Sequence, residues 1–289
     1  MCEVKALACQ LPSEQGVPIT RFSCAEIQRE AIARGIVARI SETTIWRILS
    51  EDAIRPWSYR SWIFPRDPQF AEKAGRVLDL YHGLWEGQPL GPNDHVLCAD
   101  EKTGIQIRRR RHRITPPAPG RSTRVEHEYR RLGTCAYLAA WDVRRARLFG
   151  EVVDRSTIVS FDAFVDHVMA QEPYCSARRV FWIVDNGTVH RGEKACRRLK
   201  ARWPNLILVH LPIHASWLNQ IEIYFSVLKR KALVPDDFHS REAISQRIRG
   251  FQIHYEQIAR PFEWRFTRQD LQRLLTKCAS KRKAERVAA

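Results

Sequence analysis

The sequence predicts an α/β protein in which helices flank a mixed β-sheet, preceded by an N-terminal helix-turn-helix segment. From residue 95 onward, short β-rich runs alternate with helical patterns, and two of these runs end in an aspartate. Upstream, residues 22–53 hold two capped helical patterns separated by a glycine. With 289 residues, 44% of them hydrophobic and 10% aromatic, the chain has enough apolar side chain for a buried core.

The charge balance favours a polyanionic partner. Lys and Arg number 48 against 32 Asp and Glu, so the formal net charge is +16. Nucleic acid is the first candidate, although a protein can be basic without binding it. No run approaches the roughly 20 apolar residues of a membrane span, and no signal peptide is evident. We therefore expect a cytoplasmic protein with no membrane partner, and its 8 cysteines, none at C-x-x-C spacing, to be free thiols.

Residues 22–53 are typical of two helices joined by a turn. Ser23 and Glu26 form a capping box, Gly35 interrupts the pattern, and Ser41 caps a second helix from Glu42. The start of a recognition helix is where polar side chains meet base edges. The candidate DNA contacts there are Thr43, Thr44 and Arg47. The same signals also fit an ordinary helical hairpin.

A proline-rich segment follows at residues 55–68. Its arginines and aromatics are interleaved in the order Arg55, Trp57, Tyr59, Arg60, Trp62, Phe64 and Arg66. Prolines stiffen such a path, arginines can follow phosphates, and aromatics can pack on a neighbouring surface. We predict a linker with Arg55 and Arg60 as DNA contacts, while a docked interdomain connector fits equally well. Helical spacing resumes over residues 71–85.

The predicted sheet is built from five runs. They are residues 96–100, 132–143, 147–153, 180–185 and 206–211, with the second and third forming an antiparallel pair. Ser156 can cap a helix after the third run, and a basic helix at 190–203 separates the last two. Strands interleaved with helices in this way indicate a mixed sheet with helices on its faces.

An arginine-rich insertion lies between the first two strands. It contains Arg108, Arg109, Arg110, Arg111, Arg113, Arg121, Arg124, Arg130 and Arg131, opposed within it by Glu126 and Glu128. Prolines and a glycine in its middle predict an irregular loop there. A solvated charge run would account for this composition. Beside a candidate active-site strand, it instead favours a loop that follows DNA phosphates, with residues 108–111 as contacts.

Three carboxylates are the candidate catalytic residues. Asp100 and Asp185 each follow a hydrophobic strand, and strand ends are where an α/β sheet presents functional side chains. In the predicted helix 217–233, Glu222 lies beside the apolar stripe on the more polar side, with Lys229, a candidate DNA contact, further along it. An isolated Asp at a strand end can also be a turn cap or an ion-pair partner.

Such a trio in a basic protein suits two magnesium or manganese ions, because hard cations prefer oxygen ligands. Two ions roughly 3.5–4 Å apart can stabilise the attacking and leaving oxygens of an in-line phosphoryl displacement. No dedicated protein base is then required. His190 and His214 are either helpers at this site or structural histidines.

Three strings around the acids resemble a known family. They are Ala-Asp-Glu-Lys-Thr at 99–103, Ile-Val-Asp-Asn-Gly at 183–187, and His-Ala-Ser-Trp-Leu-Asn-Gln-Ile-Glu at 214–222. These strings, with RPW at 55–57 and WIFPRDP at 62–68, resemble the DDE transposases of bacterial insertion sequences in the group called IS-six-thirty, which is related to the mariner superfamily. The resemblance extends over nearly the whole chain.

The resemblance implies an RNase H-like catalytic domain whose metal ligands are Asp100, Asp185 and Glu222. Such enzymes cut DNA at transposon ends, then use the freed 3′ hydroxyl to attack target DNA, commonly at TA, without a covalent enzyme intermediate. Their N-terminal region binds terminal inverted repeats through helix-turn-helix units. We also expect a homodimer in the active complex. A DNA-binding regulator without catalysis and an RNase H-like nuclease remain the alternatives.

The expected organisation has four parts: a DNA-binding segment at 1–54, a linker and connecting helix at 55–90, the catalytic domain at 91–239, and C-terminal helices with a basic tail at 240–289. Relatives usually carry another helix-turn-helix upstream, whereas about twenty residues precede Ser23, so a truncated N-terminus is expected. The 36 residues between Asp185 and Glu222 slightly exceed the family's most familiar spacing.

Overall fold

A computed structural model describes residues 1–59 and 65–288 of the chain, with side chains to residue 280. It contains two compact units, Met1–Phe64 and Pro65–Ala289, and the division falls inside the predicted linker. Arg60, Trp62 and Phe64, singled out above, lie outside the described residues. The functional boundaries expected from the sequence remain predictions.

The first unit is helical. Helix α1 spans Cys2–Ala8, a 3-10 turn spans Pro12–Gln15, α2 spans Cys24–Ala33 and α3 spans Glu42–Glu51. Both predicted helices are confirmed, with the Ser23–Glu26 capping box in place and the Ser41 side chain accepting the amide proton of Thr44. The sequence reading missed α1, which has only 7 residues and no side-chain cap. It packs through Val4 and Leu7 into one core with α2 and α3.

The second unit begins with helix α4, Phe70–Tyr81, and a small hairpin of β1, Leu84–Trp85, and β2, Gln88–Pro89. The predicted extension of this helix to residue 85 is wrong. Gly83 has φ +77, a left-handed conformation that ends helices, and its amide bonds the carbonyl of Leu80. The chain therefore turns into the hairpin instead of adding another helical turn.

The main sheet has five strands: β3 Asp94–Arg109, β4 Arg130–Asp142, β5 Leu148–Val153, β6 Arg179–Val184 and β7 Leu206–His210. Their order is β5-β4-β3-β6-β7. The pairs β5/β4 and β4/β3 are antiparallel, whereas β3/β6 and β6/β7 are parallel. The predicted mixed sheet is confirmed.

Helices cover both faces of this sheet. Helix α5, Ile158–Met169, and helix α6, Gly192–Arg202, connect the later strands. After β7 come a 3-10 turn at Ser216–Leu218, α7 at Ile221–Leu228, a π turn at Lys229–Leu233, α8 at Arg241–Glu256 and α9 at Arg268–Ala288. The cap of α5 is Thr157 and not the predicted Ser156, because Thr157 and Ser160 each accept the other's backbone amide.

The predicted single helix over residues 217–233 is divided into three pieces. Asn219 has an extended backbone, with φ −84 and ψ 112, which separates the 3-10 turn from α7. Its side-chain amide donates to the carbonyl of Ala99 on β3 at 3.0 Å. A tertiary hydrogen bond thus interrupts a helix that local spacing alone would continue.

The arginine-rich insertion is more regular than the sequence predicted. Strands β3 and β4 continue into it as a two-stranded ribbon, with Arg108 and Arg109 opposite Arg131 and Arg130. Farther out, bridges join residues 115 with 124 and 118 with 121, so the middle is not an irregular loop. A bulge between Lys102 and Ile105, where Gly104 has φ +68, bends β3 before the ribbon begins. None of the helices that the structure describes combines the length and the apolar composition of a membrane-spanning segment.

Candidate active site

The two candidate aspartates leave the sheet on the same face. Cys98 on β3 lies opposite Ile183 on the parallel neighbour β6, and both side chains pack in the cluster that includes α7. Asp100 and Asp185 each follow by two residues. Because side chains alternate along a strand, the two carboxylates share the face covered by α7.

Glu222 comes to this face from the first turn of α7. Asn219 ties the start of that helix to the sheet, since its side-chain amide also donates to Oδ2 of Asp100 at 3.3 Å. The amide of Glu222 in turn donates to the carbonyl of Asn219 at 3.1 Å. The structure therefore brings the three predicted acids into one neighbourhood, with the Glu222 side chain exposed to solvent.

The Asp100 carboxyl is strongly perturbed. Burial, followed by the negative charge of Asp185, raises its pKa to about 8, and the charge of Glu222 acts in the same direction. Only 9% of the residue is exposed. The surroundings of Asp100 therefore disfavour the ionised form of its carboxyl.

Asp185 is fixed by two donors. Its Oδ1 accepts from the amide of Gly187 and from Nε2 of His190, each at 2.6 Å, and the histidine bond is the main reason its pKa is lowered. His190 is completely buried and its ring lies 5.1 Å from that of Phe161. Its Nδ1 has no hydrogen-bond partner among the described residues. His190 is thus a positioning residue, one of the two histidines that the sequence left open.

Glu101 was not predicted as part of the site. Burial raises the pKa of its carboxyl, and its Oε2 is buried without a hydrogen-bond partner in the described part of the chain. The charges of His190 and Asp185 both act on it. The sequence signal that could have identified Glu101 is its position directly after Asp100. Because side chains alternate along a strand, Glu101 lies on the opposite side of β3 from Asp100.

The donor set fits a hard divalent cation better than zinc. Three carboxylates from separate elements offer oxygen ligands only, and the buried Asp100 lies among like charges that a cation would neutralise. Asp100, Asp185 and Glu222 are the residues that would hold it. As the side chains stand in residues 1–59 and 65–280, no group of three His, Cys, Asp or Glu residues is placed to hold a metal ion.

The predicted DNA contacts in the first unit are placed as follows. Thr43 and Arg47 are exposed on α3, whereas Thr44 is half-buried and its hydroxyl bonds that of Ser41 at 2.8 Å. Arg55 is exposed beyond α3. The exposed side chains leave α3 available for a partner, and DNA binding by these residues remains a prediction.

The four predicted arginines of the ribbon fall into two classes. Arg108 and Arg110 bind Asp237, with nitrogen to oxygen distances of 3.0 and 2.5 Å, and only 9% of the Arg110 side chain is exposed. Sequence reasoning missed Asp237, which lies more than a hundred residues away. Arg109 and Arg111 are exposed. Arg108 and Arg110 thus stabilise the ribbon, and phosphate contact stays a prediction best suited to the exposed pair.

Lys229 is exposed just beyond α7. It lines a cavity of about 390 Å³ together with Lys102, a lysine that the sequence reading did not select. Lys102 follows Asp100 by two residues and therefore lies on the same face of β3. The two lysines place positive charge in this cavity.

The mixed sheet thus carries an acidic cluster in which the charges of Asp185 and Glu222 both act on the buried Asp100. Residues 95–245, just over half of the chain, match the family described as DDE superfamily endonuclease, and the chain belongs to that family. No curated protein matches the sequence.

Solved structures of the Mos1 mariner transposase share the fold. Its paired-end complex with Mn is 14% identical with a TM-score of 0.57, covering 97% of this chain and 78% of that one. The paired-end complex with Mg is 13% identical with a TM-score of 0.58, over 96% and 78%. The Mos1 strand transfer complex is 13% identical with a TM-score of 0.53, and the match covers 97% of this chain and 77% of that one. The fold is RNase H-like, as predicted.

Proposed function

We propose that this chain is a DNA transposase of a bacterial insertion sequence, of the IS-six-thirty group related to mariner. It would cut DNA at the ends of its element and join the freed 3′ hydroxyl to target DNA. The observation that carries the proposal is the buried Asp100 of an RNase H-like sheet, whose pKa is raised by the charges of Asp185 and Glu222, in a chain of the DDE endonuclease family. The three strings around these acids support the narrower assignment.

The chemistry is phosphodiester displacement at one site. Two bound Mg²⁺ or Mn²⁺ ions would supply Lewis-acid stabilisation of the attacking and leaving oxygens. Asp100, Asp185 and Glu222 would hold the ions, with His190 orienting Asp185 and Asn219 orienting Asp100. Each of these bonds fixes a carboxylate before substrate arrives, which lowers the reorganisation required during reaction.

A covalent mechanism through the thiol of Cys98 is disfavoured because that thiol is buried. Cys98 lies two residues before Asp100 and is fully buried, and burial raises its pKa to about 12. It therefore stays a neutral thiol at physiological pH, which is a poor nucleophile. A neutral thiol at this position is consistent with direct attack on the phosphodiester by water, and then by the 3′ hydroxyl.

DNA is the proposed partner. The formal net charge of +16 and the exposed Arg109 and Arg111 suit a polyanion. The related Mos1 structures are paired-end and strand transfer complexes. By analogy we propose that the first unit binds terminal inverted repeats, that the second engages cut and target strands, and that two copies form the active complex. In a bacterium such a protein works in the cytoplasm, at the nucleoid.

Replacing Asp185 with Asn tests the proposal. It removes a charged metal ligand, so Mg²⁺-dependent cleavage and joining should fall at least about a thousandfold, while DNA binding persists. The matched control is Asp154→Asn, whose side chain is 81% exposed and paired with Arg241. Gel analysis of labelled element ends should separate nicks from joined products. Unchanged cleavage in Asp185→Asn contradicts the site, and nicks without joined strands would instead favour a nuclease.

A further inference from the structure

The loop from residue 211 to residue 219, which joins β7 to α7, is fastened at both ends to the candidate catalytic strings. The side-chain amide of Asn186, the neighbour of Asp185, donates to the carbonyl of Leu211 at 2.7 Å. At the other end, Asn219 donates to Asp100 at 3.3 Å. The 211–219 loop is therefore tied at one end to the residue that follows Asp185 and at the other end to Asp100.

The middle of this loop is also held firmly. The amide of Ile213 donates to Oδ2 of the buried Asp67 at 3.1 Å, and Ala215 and Leu218 are buried. His214 has φ +61, a left-handed conformation that costs energy in a residue with a side chain and persists only where the surroundings impose it. The loop is thus a constrained structure within its unit.

Two large apolar side chains nevertheless face solvent from it. Ile213 is 46% exposed and Trp217 is 44% exposed. One ring contact restrains the indole, since Phe266 meets it at 5.6 Å and 83°. Single exposed hydrophobics are common on protein surfaces, but two of them on one constrained loop beside an active site indicate a contact surface.

We propose that Trp217, on the same loop as the exposed Ile213, is a stacking platform for an unpaired nucleobase of the DNA strand next to the scissile phosphate. Aromatic side chains stack on any base, because every base has a π-face, and the contact tolerates sequence variation. Unstacking a base costs least where the duplex is already open, as it is at a cut end. The inference rests on the proposed function, because it takes DNA as the substrate of the neighbouring acids.

The experiment uses the full chain carrying Asp185→Asn, so that DNA is bound but not cut. Duplexes with a three-nucleotide overhang carry 2-aminopurine at each overhang position in turn, and a blunt duplex is the reference. Binding should quench the probe at one position. Trp217→Ala should remove the quenching and weaken overhang binding roughly 5- to 150-fold, with blunt duplex affinity unchanged.

Companion variants identify the contact. Trp217→Phe should restore most of the quenching, whereas Trp217→Leu should not, since it retains apolar area without a π-face. The control is Ile253→Ala on α8, an apolar residue that is 58% exposed, more than Trp217. Equal behaviour of the Phe and Leu variants, or quenching that survives in Trp217→Ala, overturns stacking. A loss of self-association without DNA in Trp217→Ala would assign the surface to a second copy and also overturn it.

The inference and the proposed function can fail separately. If the chain with Asp185 intact cuts DNA with Mg²⁺ and Trp217→Ala binds overhangs normally, the platform is refuted and the transposase is not. If the chain with Asp185 intact never cuts DNA, yet Trp217 of the Asp185→Asn chain quenches the 2-aminopurine, the transposase function is refuted and base stacking is supported.

Discussion

His190 should control metal affinity through its bond to Asp185. Changing His190 to Ala removes one of the two donors at Oδ1 and leaves the amide of Gly187. A hydrogen bond to a charged group contributes about 1.5–3 kcal/mol. Loss of a residue that orients a metal ligand typically weakens metal binding by about 10- to 100-fold, which corresponds to about 1.4–2.8 kcal/mol. The two ranges agree.

The measurement is a Mn²⁺ titration followed by electron paramagnetic resonance, with cleavage measured over the same metal range. For His190→Ala we expect half-maximal metal to rise about 10- to 100-fold, while the rate at saturating metal changes much less. His190→Gln keeps an N–H donor and should lie between Ala and the unchanged chain. His167→Ala, at an exposed position on α5, is the control.

His190 is also a buried ring, so His190→Ala leaves a cavity and should lower folding stability whatever the metal does. If the Ala and Gln variants lose activity at saturating Mn²⁺ with metal affinity unchanged, the residue serves packing alone.

Two further predictions concern ion pairs and the ribbon. Arg179 holds the fully buried Asp94 side chain and lowers its pKa, so the pair stabilises the fold above about pH 4 and its contribution is lost as pH falls through the lowered value. Arg179→Met should lower the unfolding free energy measured with urea by about 3–5 kcal/mol at pH 7 and by much less near pH 3. An equal loss at both pH values would contradict a stabilising Arg179–Asp94 ion pair. In the ribbon, Arg109→Ala with Arg111→Ala should reduce the slope of log binding constant against log salt by about 1.8 without changing Tm, whereas Arg110→Ala should lower Tm; the reverse pattern would exchange their roles.

The sheet and its acids could be predicted because their signals are local. An apolar run ending in Asp identifies Asp100 and Asp185, and the period of two along β3 and β6 puts both on one face once the strands are paired. The alternation of strands and helices was likewise enough for the mixed sheet. Glu222 is identified by the family-like segment at 214–222, because helical spacing alone places it only at the margin of an apolar stripe.

The remaining features depend on contacts between distant positions. The prolines and glycine of the insertion predict a loop, and no local pattern shows that Asp237, more than a hundred residues away, pairs with Arg110. Asn219 interrupts a helix through a bond to β3 that no local pattern encodes. His190 could be named from the sequence but not assigned, because its role rests on a 2.6 Å bond formed by a turn.

The shared face of the two aspartates has a consequence for which mutations the gene can tolerate. Cys98 opposite Ile183 sets the register, so an in-frame gain or loss of one codon within β6 would turn Asp185 toward the side covered by α5 and α6. Substitutions in that strand only degrade packing, whereas this change would separate the carboxylates in one step. Codon insertions and deletions should therefore be purged from residues 179–184 far more strictly than conservative substitutions.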